Sequence, residues 1–159
     1  AYALDANTTA NDNTAIGAHA LTANTTGTQN VGLGNSALGT NTTGANNTAV
    51  GYNAMTANTT ANNNSAFGHS SLEANTTGYH NIAVGNYTLQ NNTTGSFNTA
   101  LGYNALNDNT TAEYNVAIGK DALAVNTTGA SNTAVGNNAL DANTTASNNV
   151  AIGLSLIHI

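Results

Sequence analysis

The tripeptide Asn-Thr-Thr begins at Asn7, Asn24, Asn41, Asn58, Asn75, Asn92, Asn109, Asn126 and Asn143, a period of 17 residues held through nine copies without an insertion. A strict period of this length means one supersecondary unit stacked on copies of itself, each burying its apolar side against its neighbours. The sequence therefore predicts a stack of nine coils.

Superimposing the copies gives each position in the coil a role. Leu4, Leu21, Leu38, Met55, Leu72, Leu89, Leu106, Leu123 and Leu140 form one apolar column. Ile16, Leu33, Val50, Phe67, Val84, Leu101, Ile118, Val135 and Ile152 form a second, and both are expected to be core. Two residues before the second column stands a β-branched or small side chain (Thr14, Val31, Thr48 and so on), and the residue between is always Ala or Gly. That is a period-2 strand with its larger side chains on one face and a very small one on the other. A second strand is expected through Ala-Leu toward Asn-Thr-Thr. Recurrent Gly, Asn and paired Thr oppose a helix.

Gly17 and its eight equivalents close the first strand, where a missing Cβ permits positive φ or close backbone approach. Asn13 and its equivalents open it, and identical Asn side chains one rung apart can form an amide ladder along the axis. Seventeen residues give a contour of roughly 56 Å, enough for two short strands joined by two turns. The expected fold is an all-β β-solenoid, or β-roll, of nine 17-residue coils with two short strands per coil, about 43 Å long at about 4.8 Å per rung. The Ala column beginning at Ala15 lies opposite the large aliphatics, so a second chain or strand layer is expected to pack there.

Composition narrows the partners. Seven acidic side chains face one basic one, Lys120, for a net charge of −6 with 5% of residues charged. Binding a nucleic-acid backbone needs Lys and Arg to displace counterions, so no nucleic-acid partner is expected. The regular apolar columns favour order over the disorder that so many Asn and Thr residues would otherwise suggest. The chain holds no Cys, hence no disulfide or thiolate metal site. No run of about 18 apolar residues offers a membrane span. The array opens in mid-repeat at Ala1, and the stretch is expected to be a fragment of a longer array.

Asn149-Val150-Ala151-Ile152-Gly153 and Asn115-Val116-Ala117-Ile118-Gly119 resemble the S-V-A-I-G repeats of the YadA-like head domains of trimeric autotransporter adhesins. Asn47 to Met55 and Asn98 to Leu106 are similar to N-T-A-V-G-Y-x-A-L repeats of bacterial surface proteins and phage tail-fibre-like proteins. The resemblance spans all nine coils through Gly153. It implies a left-handed β-roll, a homo-oligomer such as a trimer, and an extracellular or cell-surface fibre without enzymatic activity. The matching coil edges separately predict axial stacking. Leu154 to Ile159 resembles a translated sequencing adapter of the kind found at the ends of metagenomic reads, and residues 154–159 are expected to be a non-native tail rather than a capping strand.

No catalytic residue, metal site or cofactor is expected. His19, His69, His80 and His158 do not recur from coil to coil, and the seven acids are scattered. Gly32-Leu33-Gly34 lacks the rest of a phosphate-binding loop. The Thr ladders are the one candidate surface: Thr8, Thr25, Thr42, Thr59, Thr76, Thr93, Thr110, Thr127 and Thr144, with a second file beginning at Thr9. Their hydroxyls could stiffen the turn, carry O-linked sugar, or present a ligand- or ice-binding face like that of insect-type antifreeze solenoids. Every Asn-Thr-Thr also fits the N-x-T acceptor pattern, so the nine Asn residues from Asn7 to Asn143 are candidates for N-linked carbohydrate.

Overall fold

The computed structural model describes residues 2–155. The protein is a β-solenoid of 17-residue coils. Each coil contributes one three-residue strand: β1 (Thr14–Ile16), β2 (Val31–Leu33), β3 (Thr48–Val50), β4 (Ser65–Phe67), β5 (Ile82–Val84), β6 (Thr99–Leu101), β7 (Val116–Ile118), β8 (Thr133–Val135) and β9 (Val150–Ile152). They form one parallel sheet in sequence order. Every strand pairs with the next at an offset of 17 residues, as in Thr14↔Val31 and Ile16↔Leu33, so identical columns stack along the axis.

The strands end at the Gly column because nothing else fits. Gly17 to Gly153 hold φ between 131° and 145°. From Gly17 to Gly136, a Cβ would meet backbone of the following coil at 2.2–2.7 Å. Both conditions exclude a side chain.

Two expectations are corrected. The expected second strand through Ala-Leu is absent, because the Leu column is left-handed, with φ of 50° to 55° from Leu4 to Leu140. Adjacent side chains of a strand point to opposite sides, yet Ala37 and Leu38 are both fully buried. The positive φ breaks the alternation and turns both inward. Coil-to-coil hydrogen bonds persist there, from Leu38 N to Ala54 O at 3.0 Å, without a strand.

The second correction reverses the strand. The interior takes the Ala column, fully buried at Ala49, Ala66, Ala83, Ala100, Ala117 and Ala134. The large column expected in the core faces outward: Ile16, Leu33, Phe67, Leu101 and Ile152 are exposed, and Val50, Val84, Ile118 and Val135 are half-buried. The neighbour expected outside the Ala column is the Leu column of the same coil, inside. The core is thus a single row of Leu or Met flanked by two rows of mostly Ala. Burying each Leu contributes about 1.5–3 kcal/mol, repeated at every coil.

Most of the 154–159 tail lies outside the described residues. Of its described part, Ser155 N donates to Asn137 O at 2.8 Å, continuing the pattern of the preceding coils.

Candidate functional site

Two surfaces could carry function, the Asn-Thr-Thr corner and the outer sheet face. At the corner the sequence brings an Asn inward and turns the chain around it. From Asn24 to Asn126 these side chains are fully buried. From Asn41 to Asn143 each amide nitrogen serves two acceptors: Asn92 Nδ2 donates to Asn75 Oδ1 at 2.9 Å and to Gly95 O at 2.9 Å. The contact recurs from Asn41 to Asn143 at 2.7–3.3 Å, a continuous amide ladder. A second ladder runs through the Asn column that opens the strand, where Asn98 N donates to Asn81 Oδ1 at 2.9 Å and Asn98 Nδ2 to Ala112 O at 2.8 Å. Buried amides this fully paired are structural.

The candidate glycan sites are therefore redistributed. Asn24, Asn41, Asn58, Asn75, Asn92, Asn109 and Asn126, candidates for N-linked carbohydrate, are fully buried in the folded coil. Asn7 and Asn143 are half-buried at the two ends. The Thr ladder is also committed: Thr25, Thr42, Thr59, Thr76, Thr93, Thr110 and Thr127 each donate their hydroxyl to the carbonyl of the equivalent Thr one coil on, at 3.0–3.3 Å. The neighbouring file, Thr26, Thr43, Thr60, Thr77, Thr94, Thr111, Thr128 and Thr145, is exposed at every coil. It is the file that presents side chains to water.

The corner has two forms. Where its fourth residue is Gly, as at Gly44, Gly78 and Gly95, two successive Thr amides share one carbonyl of the next coil, as with Thr93 N and Thr94 N on Thr110 O at 2.9 and 3.2 Å. At Ala61 and Ala112 only the first bond forms, from Thr59 N and Thr110 N, at 3.3 and 3.1 Å. A Cβ built at Gly95 would stand 2.4 Å from Ala112 O, so an Ala corner must shift away from the next coil.

The outer sheet face carries two straight files, Thr14, Val31, Thr48, Ser65, Ile82, Thr99, Val116, Thr133 and Val150 beside the Ile16 column, and neither holds a charge. Periodicity exposed both files, but their outward aim depended on the interior. Aromatic rings border the face in the middle coils. On the side beyond the Gly column, Tyr52 stacks on His69 at 5.2 Å, His69 meets the edge of Tyr87 at 5.0 Å, and Tyr87 meets Tyr103 at 5.8 Å. On the other side, His80, Phe97 and Tyr114 stack at 5.3 and 5.1 Å, with Tyr79 edge-on to Phe97 at 5.1 Å. These rings escaped the sequence reading because they occupy neighbouring columns and recur only locally.

The single cation, Lys120, pairs with Asp121. Its hydrogen bond, with a lesser one from Asn104, holds the Asp121 carboxyl below the usual range against partial burial, while Asp121 raises the exposed Lys120 ammonium. Among the described residues no three His, Cys, Asp or Glu come together as metal ligands, and no helix is long and apolar enough to cross a membrane. Compared with family models, with curated proteins and with solved structures, the chain finds no significant match.

Proposed function

We propose that this chain is a structural repeat segment of an extracellular fibre or filament, such as a surface stalk, an adhesin or a matrix fibril, and that copies associate laterally through the sheet face. The observation that carries the reading is the pair of uncharged files on the outer sheet face, where Ile16, Leu33, Phe67, Ile82, Leu101, Val150 and Ile152 are exposed. Large apolar side chains exposed together on one face mark an interaction site, here interleaved with the hydroxyls of Thr14, Thr48, Ser65, Thr99 and Thr133. Nine rungs at about 4.8 Å and three-residue strands at about 3.3 Å per residue make this face roughly 40 Å long and 10 Å wide. A second copy suits it, because identical spacing brings the files of two chains into one register. The resemblance to trimeric heads makes three chains the expected number.

The Asn ladders add a direction. Each coil accepts on Asn Oδ1 and donates from Nδ2 toward the preceding coil, so stacking along the axis is head-to-tail, the arrangement that builds filaments. Carbohydrate, if the fibre carries it, falls on the exposed Thr26 file. A ligand- or ice-binding ladder made from the Thr8 column is disfavoured by hydroxyls already spent on the backbone. With no Arg and a net charge of −6, nucleic acid is an unsuitable partner.

Light scattering tests the lateral contact. Wild type should weigh a small multiple of one chain. The pair Leu101→Glu and Ile118→Glu should lower the mass to that of one chain with an unchanged circular dichroism spectrum. A wild type that stays single at high concentration, or an unchanged mass in the double variant, overturns the lateral reading.

A further inference from the structure

We propose that Tyr87 and Tyr103 form an oxidative cross-linking site, at which a peroxidase-type oxidant joins their rings into a dityrosine that staples two consecutive coils. The proposal is independent of the fibre reading. Among the described residues theirs is the one contact between two tyrosine rings, with centroids 5.8 Å apart and planes at 86°. Tyr103 is 49% exposed and Tyr87 half-buried, so oxidant reaches the pair. The backbone holds both: Tyr87 N donates to His69 O at 2.9 Å, and Tyr103 O accepts from Asp121 N at 3.0 Å. Two phenoxyl radicals formed here need little motion to meet.

The competing phenols are Tyr2, Tyr52, Tyr79 and Tyr114, all exposed, and among the described residues none of them meets a second tyrosine ring. There is no Cys and no Trp, and the single Met, Met55, is fully buried. Other covalent staples lack residues too, since disulfides need Cys and lysine-derived links have only Lys120. The chemistry balances with hydrogen peroxide as oxidant through a haem peroxidase. One peroxide takes an electron and a proton from each phenol and leaves as two waters. The two radicals join at ring carbons ortho to oxygen, and each ortho hydrogen moves to its oxygen to restore the phenol. The new bond closes a short loop between coils, which restricts the unfolded chain more than the folded one.

The test treats dilute full-length protein with peroxidase and peroxide. The expected product is a single chain with dityrosine fluorescence, a mass lower by two hydrogens, a mapped peptide joining residues 87 and 103, and a raised urea midpoint. Tyr103→Phe should lose that product while Tyr114→Phe retains it, with both folded by circular dichroism. Adding urea before the oxidant should also suppress it. Equal intramolecular dityrosine in Tyr103→Phe, or a wild type giving only intermolecular links or none, overturns the proposal.

Discussion

Gly32 and Leu21 face each other across the coil: a Cβ at Gly32 would stand 3.3 Å from Leu21 Cγ and 3.1 Å from Ala37 O. The two walls are therefore one small side chain apart, and the Ala column is as large as the interior allows. Ala100→Leu should cost about 1–3 kcal/mol by overpacking, whereas Leu101→Ala, next to it on the outer face, should change the stability of the single chain by less than about 0.5 kcal/mol. Urea titration of both variants checks the inversion. Equal costs would show that the strand faces are assigned wrongly.

The buried Leu row should behave as ordinary core despite its left-handed backbone. Leu106→Ala, at a fully buried position, should cost about 2–5 kcal/mol by the same measurement.

The amide ladder depends on every member. Asn75→Ala removes the donor to Asn58 Oδ1 and Gly78 O and the acceptor for Asn92 Nδ2. Stranding these buried groups should cost at least about 2–3 kcal/mol, and Gln, with one methylene more, should not rescue it. Full stability in Asn75→Gln would refute a register-dependent ladder.

The two forms of the corner predict a local difference in hydrogen exchange. Thr60 and Thr111 amides, which lack the second bond, should exchange faster than those of Thr77 and Thr94, which donate at 3.3 and 3.2 Å. Uniform protection along the corner would contradict the Ala-induced shift.

Each coil also holds polar residues at positive φ where a Gly would be relaxed. Ser131 sits at φ 59° and is exposed. Left-handed backbone costs a non-Gly residue about 1–2 kcal/mol, and Gly returns about 0.5–1 kcal/mol of that as unfolded-chain entropy. Ser131→Gly should thus gain about 0.5 kcal/mol, seen as a small rise in thermal midpoint, and Ser131→Val should lose stability.

The sequence by itself determined the solenoid, its 17-residue register, the Leu row of the core, the Gly that ends each strand and the stacking of Asn along the axis. These follow from periodicity, because residues one period apart must occupy equivalent places in a stack. Which strand face turns inward, whether a second strand exists and how deeply the candidate Asn side chains are buried were decided only by the tertiary structure. Alternation along Thr14-Ala15-Ile16 defines two faces without ranking them, and hydrophobicity ranks them in favour of Ile16. The closed coil reverses that choice, because the left-handed Leu21 and the two Asn ladders fill the interior first. Only the Cβ of Ala15, or the bare Cα of Gly32, still fits between them, and the larger side chains are left on the outside of the sheet.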